Sequence, residues 1–447
     1  MKAKVFLCAF FVISLLIGAS VFFPENAVVS QKQTLVEFPE FVTNGKINTA
    51  FTNELSNYIT ENVAFRDRII SINAYLRNTF FHSSSQEKVI VGKDGMLFFS
   101  ETLGDYLGTE KFTEREKFNF LDTLEQMQEY CDKNSIKFAF TVVPNKNTLY
   151  GDNMPKRYKK ASSSNLEDLL PDLNKTSVNF VDLTKTFKSL DGVYYYKTDT
   201  HWTQKGAIIG YENILSSIYD DYVSFKDIPM NTPNTHRGDL GEMLYPGFEY
   251  TESETVLDYT FGYKTVGRFK SADDINIRTV NPNGKHSLLM FRDSFGVALL
   301  PLMAENFNSM YYTRQVPVDL TLATADGRDT VIYEIVERNM KNVILYSPVF
   351  EANTVTPGNA VDCEYSLHTD KYNSLIHFYG KVNSTLGTNQ KIYVQVLDEA
   401  GDSVYYNTVG AFTEYPNEEY SDSCFSAYVD LSALPENYKV NVVLEGE

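Results

Sequence analysis

Cysteine is scarce in this chain, four in 447 residues, and no CxxC pair occurs. The six histidines (His82, His201, His236, His286, His368, His377) are scattered, so the paired ligand spacing of a structural zinc site is missing. Basic residues are short as well, 40 Lys and Arg against 58 Asp and Glu, for a formal charge of -18. That balance argues against nucleic acid as a partner. The deficit is steepest at the carboxy end, where Glu351 to Glu447 hold fifteen acidic residues against four lysines and no arginine. A solvated acidic surface accounts for it. Tryptophan occurs once, at Trp202, and no repeat or low-complexity tract interrupts the chain.

What is present begins at the amino terminus. Lys2 and Lys4 precede an apolar run from Val5 to Phe23, long enough to cross a bilayer. Two leading lysines favour a cytoplasmic amino terminus with the bulk of the chain outside. A cleaved signal peptide, with Gly18 and Ser20 near the cut, is the other reading and makes the protein secreted. Because the run continues to Phe23, residues 1–24 are expected to form a single-pass membrane anchor with an extracellular catalytic region. Cys8 falls in this run, and in an oxidising compartment Cys363 and Cys424 can pair, leaving Cys131 as a buried thiol.

Phe51, Leu55, Ile59 and Val63 recur every four residues, the stripe of an amphipathic helix, so residues 25–86 read as a helical stalk packing on the main domain. "EKVIVGKDGMLFF" reads as a hairpin turning between Gly92 and Gly95. From Glu114 helical stretches alternate with the apolar runs "KFAFTVVP", "VNFVDL", "SLLMF" and finally "NVILYS". Such alternation predicts an α/β fold, an open sheet covered on both faces, with sites at the carboxyl ends of strands, over residues 87–347. Residues 348–447 change character: Ile392, Val394 and Val396 alternate with Tyr393, Gln395 and Leu397, and short strands follow one another. They predict a small all-β sandwich, read as a packing or spacing module before a glycan-binding one.

Two stretches carry chemistry. "YYYKTDTHWTQKGA" places Asp199 and His201 two residues apart, just before Trp202 and a helix from about Thr203 to Tyr219 that Thr203 would cap. "SLLMFRDSFGVALLPLMAENF" takes a buried-strand pattern through Arg292, Asp293 and Ser294 into an amphipathic helix, a strand-to-helix turn that would hold the Ser294 hydroxyl proud of the sheet. By itself that turn is better explained by Ser294 or Asp293 capping the helix. An Asp-x-His step changes the weighting, because a serine hydroxyl needs a base and the base needs a carboxylate to fix its tautomer. The alternative readings of His201 are a satisfied structural histidine or, as the lesser one, one of two metal ligands, and no metal or other cofactor is expected. Lys146, after "FAFTVVP", and Arg292 are candidates for binding substrate or an oxyanion, with structural ion pairing as the competing role. Trp202 is expected within or beside the acyl site, or else in the core behind the loop.

"DTHWTQKG" resembles the DxH block of SGNH (GDSL-like) hydrolases, and with "FRDSFG" downstream the chain resembles the DHHW proteins and alginate-type polysaccharide O-acetyltransferases of that superfamily. Asp-x-His precedes the serine here, the permuted order of that family, and "FTNELSNYITENVAFRDR", "VGKDGMLFF", "VVPNKNTLYGDNMP", "HRGDLGEML" and "DTVIYEIVER" fit it as well. The likeness runs from about Phe38 to Ser347. It departs at Thr200, where the DHHW name has a histidine, and no GxND block supplies the usual third oxyanion donor. The resemblance implies a flavodoxin-like SGNH domain and a Ser294, His201 and Asp199 triad that moves an acetyl group onto hydroxyls of a cell-surface polysaccharide. It also implies an integral membrane O-acyltransferase as the acetyl donor. A carbohydrate esterase with the same triad, and a non-catalytic glycan-binding or assembly protein, are the alternatives.

Overall fold

The computed structural model describes residue 11 and residues 37–43, 45–62, 66–414 and 419–446. Its centre is a seven-stranded sheet in the order Phe180–Val181, Lys137–Val143, Thr330–Val336, Lys285–Phe291, Phe307–Thr313, Asn276–Val280, Lys264–Val266. The first five strands are parallel, and Asn276–Val280 pairs antiparallel with its neighbours on both sides. Parallel strands need cover on both faces, and the alternating side chains of Lys285–Phe291 show how it is divided. Leu289 and Phe291 join Phe120, Leu124 and Met127 of the Glu114–Lys133 helix in one core. Leu288 and Met290 join Ile208, Tyr211 and Ile214 of the Gln204–Ser216 helix in the other. The expected α/β architecture is therefore present, and all five parallel strands deliver their carboxyl ends to one edge.

Residue spacing misplaces one strand. "NVILYS" forms a helical turn at Asn342–Leu345, and the sheet instead takes Thr330–Val336, every residue of which is buried. A four-residue apolar run has no period by which to separate the two states. The Val89–Val91 and Leu97–Phe99 strands pair as the expected antiparallel hairpin, and Gly95 supplies the positive φ (77°) its turn requires. Of the amphipathic stripe, Phe51 and Leu55 are half-buried in the Phe51–Asn62 helix, whereas Ile59 is exposed and Val63 lies outside the described residues. The next helix, Arg66–Phe81, packs close to the main body: Ser71 Oγ accepts the Gly247 amide at 2.8 Å, and a Cβ on Gly247 would stand 2.4 Å from the helix backbone.

Beyond the α/β region, a five-stranded and a four-stranded sheet close on Phe378, Val394, Phe425, Val429 and Val442. The two regions are joined by polar contacts: Arg115 donates to the carbonyls of Gln390 (2.6 Å) and Thr388 (3.3 Å), and Gln126 to that of Thr408 (3.0 Å).

Two expectations are corrected here. Cys363 is a free thiol whose Sγ lies 3.4 Å from the Val442 carbonyl, so it makes no disulfide with Cys424. The single-pass anchor is not upheld either. Among the described residues no helix is long and apolar enough to cross a membrane, and the longest, Glu114–Lys133, carries charged residues along its length. The Val5 to Phe23 run lies, apart from Phe11, outside the described residues.

Candidate active site

The segment bearing Asp199 and His201 folds back on itself at the carboxyl edge of the sheet. Tyr195 bridges Trp202, Thr203 N donates to Tyr194 O at 2.7 Å, and the Thr203 hydroxyl caps the Gln204–Ser216 helix through Gly206 N. Within that loop Asp199 Oδ1 accepts both the His201 amide (2.9 Å) and His201 Nδ1–H (2.7 Å). Donation from Nδ1 leaves Nε2 as an acceptor, and it lies 2.9 Å from Ser294 Oγ.

Ser294 follows the Lys285–Phe291 strand and opens a 3-10 turn, Phe295–Ala298, before the short helix Leu300–Asn306 begins. The continuous amphipathic helix expected after it is thus broken in two, with Pro301 in the first turn of the second part. Asp293 holds the serine turn: its Oδ1 accepts Phe295 N at 2.9 Å, and its Oδ2 accepts Val336 N at 2.7 Å and Asn339 Nδ2 at 3.2 Å. Only glycine fits at Gly296, where a Cβ would stand 2.7 Å from Arg292 Cβ.

Two groups that the motif pair does not reveal complete the cluster. His236 Nε2 donates to Asp199 Oδ2 at 3.0 Å and stacks flat on Tyr196, with centroids 3.6 Å apart. Asp239 accepts Thr200 N (2.8 Å) and Thr200 Oγ1 (2.7 Å), and its Oδ2 stands 3.8 Å from His201 Nδ1. Both belong to "HRGDLGEML", so the signal was a stretch of sequence without a recognisable role. Thr200, the departure from the DHHW pattern, becomes the link between the loop and Asp239.

Burial by itself would raise the Asp199 carboxyl, but hydrogen bonds from His201 and His236 overcome it and hold the group far below the usual carboxylate range. Burial would likewise lower His201, yet the Asp199 hydrogen bond and charge, with Asp239 behind them, raise it above an ordinary imidazole. Asp239 is pushed up, first by burial and then by the Asp199 charge. One ligand atom each from Asp199, His201 and Asp239 lie within 4.8 Å of one another. A cation held through His201 Nδ1 would compete for the atom that Asp199 already binds.

The other three sequence candidates direct most of their donors to backbone carbonyls, and of these donors only Arg292 Nε is left buried without a partner among the described residues. Lys146 Nζ donates to the carbonyls of Leu97 (2.7 Å), Lys197 (2.7 Å) and Asp199 (3.0 Å), tying the hairpin to the Asp199 loop. Burial lowers this amine to about 7. Arg292 donates to the carbonyls of Asp293, Ala272 and Asp274. Trp202 is 2% exposed, and its indole N–H donates to Phe295 O at 3.1 Å, which supports the serine turn from the core side. A cavity of about 1010 Å³ is lined by Tyr75, Tyr245, Phe248, Tyr250, Lys156 and Thr198 among others. Neither Ser294 nor His201 lines it; Thr198, beside Asp199, is the nearest link in the chain.

Residues 89–247 match the family described as "SGNH hydrolase-like domain, acetyltransferase AlgX". The resemblance read from the sequence to alginate-type O-acetyltransferases is thereby shown. Among individual relatives, the chain is 24% identical over 181 residues to a protein named "Probable alginate O-acetylase AlgJ" of Pseudomonas aeruginosa, covering 38% of this chain and 44% of that one. The chain thus spans less than half the length of that relative. Similar solved structures include Bacillus cereus PatB1 (16% identity, 57% of this chain and 97% of that one, TM-score 0.46). A DHHW family protein from Eubacterium siraeum is also similar (16% identity, 50% and 85%, TM-score 0.40). The matched segment contains Asp199, His201, His236 and Asp239 but ends before Ser294.

Proposed function

We propose that the protein is a serine O-acetyltransferase that acetylates hydroxyls of a polysaccharide. The observation that carries this is the continuous chain of contacts from Asp199 Oδ1 to His201 Nδ1 (2.7 Å) and from His201 Nε2 to Ser294 Oγ (2.9 Å). In the first half-reaction His201 takes the Ser294 proton as Oγ attacks the acetyl carbonyl, and returns it to the departing donor group, leaving acetyl-Ser294. In the second, His201 takes a proton from a sugar hydroxyl as its oxygen attacks the acetyl carbonyl. The Ser294–acetyl bond breaks and the proton returns to Oγ. Asp199 keeps Nδ1 protonated and stabilises the imidazolium formed in both halves. The donor implied by the resemblance is another acyltransferase that hands over the acetyl group.

The test is covalent. A fluorophosphonate should label wild-type protein at Ser294 and leave Ser294→Ala unlabelled. Incubation with an aryl acetate should give acetyl-Ser294 by peptide mass analysis, discharged faster by an oligosaccharide acceptor than by water. Labelling that persists in Ser294→Ala would overturn the nucleophile assignment. Discharge at the same rate with and without acceptor would make the protein an esterase.

A further inference from the structure

We propose that Arg338 is the anion-binding group of the acyl site, taking a negatively charged oxygen of the reacting molecule. The inference rests on the acyl-serine reading above. Arg338 lies in the Glu337–Asn339 turn directly after the Thr330–Val336 strand, which pairs in parallel with the strand leading to Ser294. Its guanidinium carbon is 5.6 Å from the centroid of Phe295, the residue after Ser294, and 5.6 Å from that of Phe99, at the end of the hairpin. The Phe295 ring is in turn 4.8 Å from the His201 ring.

The turn itself is fixed. Asn339 Nδ2 donates to Asp293, the residue before Ser294, and Glu337 Oε2 accepts Asn145 N (2.8 Å) and the Thr148 hydroxyl (2.6 Å). Arg338 is therefore carried on the same rigid edge as the serine turn, half-buried beside two aromatic faces that tolerate a cation.

What sets it apart from Lys146 and Arg292 is that no described residue neutralises it. Among the described residues its guanidinium meets no carboxylate and no hydrogen-bond acceptor, whereas Arg292 has three carbonyls and Lys146 three. Its charge also opposes protonation of His201. A guanidinium with up to five free N–H donors, beside the ring of the residue that follows Ser294, matches an oxygen anion. Two sources share that chemistry: the oxyanion of the tetrahedral intermediate, for which the sequence offered no third donor, and a carboxylate on an acidic sugar acceptor.

The experiment compares wild type, Arg338→Lys and Arg338→Met, each checked for an unchanged thermal midpoint. Acylation by 4-nitrophenyl acetate and transfer to a neutral and to a uronate oligosaccharide are measured separately. If the anion is the oxyanion, Arg338→Met should slow acylation by about 10²-fold or more with KM nearly unchanged, and Arg338→Lys should recover part of it. If it is the acceptor carboxylate, acylation should match wild type while KM for the uronate acceptor rises about ten-fold and that for the neutral one stays. Wild-type acylation and transfer to both acceptors by Arg338→Met would overturn the proposal alone. A wild type that forms no acetyl-enzyme at all would overturn the acyl-serine reading, and this inference with it.

Discussion

Two histidines, one in each half of the molecule, show what separates the α/β edge from the sandwich. His201 sits in a cluster with Asp199, Asp239 and His236, and the two carboxylates raise its pKa despite burial and the opposing charge of Arg338. His377 lies in the sandwich, hydrogen-bonded to Ser426 Oγ at 2.8 Å and stacked on Tyr428 with centroids 4.0 Å apart. Burial lowers it to about 4, and the charge of Asp370 only partly opposes the shift. The same side chain is thus held ready to carry a proton in one place and kept neutral in the other. The sandwich otherwise buries apolar groups such as Phe378 and Phe425, which suits a packing module. The α/β edge retains charged groups whose burial costs stability, a pattern found where chemistry is done.

The contrast breaks most sharply at the proposed triad. Asp199→Asn and His201→Ala should each lower acetyl-Ser294 formation by on the order of 10⁴-fold, because the groups act as a unit, while His377→Gln should leave the rate unchanged. Stopped-flow acylation with an aryl acetate measures all three. A comparable loss in His377→Gln would erase the distinction between the regions.

The next effect is on stability and runs in opposite directions for the two histidines. His377, with its folded pKa depressed to about 4, contributes stability that is present above the unfolded value of about 6.5 and lost as pH falls toward 4. The sandwich should lose on the order of 2 kcal/mol across that window, a loss absent in His377→Gln by urea unfolding. His201, with its folded pKa raised, contributes stability present below about 6.5 and lost as pH rises through the raised value. In the proposed mechanism the same shift sets activity, since His201 must be neutral to act as base: the acidic limb of the acylation profile should lie above the ordinary imidazole range.

His236→Ala removes one donor from Asp199 Oδ2. Acylation should fall about ten-fold, equivalent to one charge-assisted hydrogen bond, and the acidic limb should move further up as Asp199 becomes a stronger acceptor for His201. An unshifted limb would show that His236 only packs. The smallest effect belongs to the sandwich: Cys363→Ser, or added reductant, should change unfolding free energy by no more than about 0.5 kcal/mol, because no bridge is lost.

The sequence by itself determined what depends on near neighbours. Asp199 and His201 are two residues apart, the Thr203 cap fixes the start of its helix, the hairpin at Gly92 to Gly95 follows from its turn, and Ile392, Val394 and Val396 turn one face of a strand into the sandwich core. Only the tertiary structure decided what depends on distance along the chain. His236 and Asp239 reach Asp199 from 37 and 40 residues away, and Arg338 comes from a strand end whose sequence carries no mark of its neighbours. The same holds for Lys146, Arg292 and Trp202, whose residue types suit a site equally well. Apart from Arg292 Nε, their donors meet carbonyls that only chain packing brings within reach. A short-range pattern is written in adjacent letters, whereas a buried polar group takes whichever partner the folded sheet places beside it.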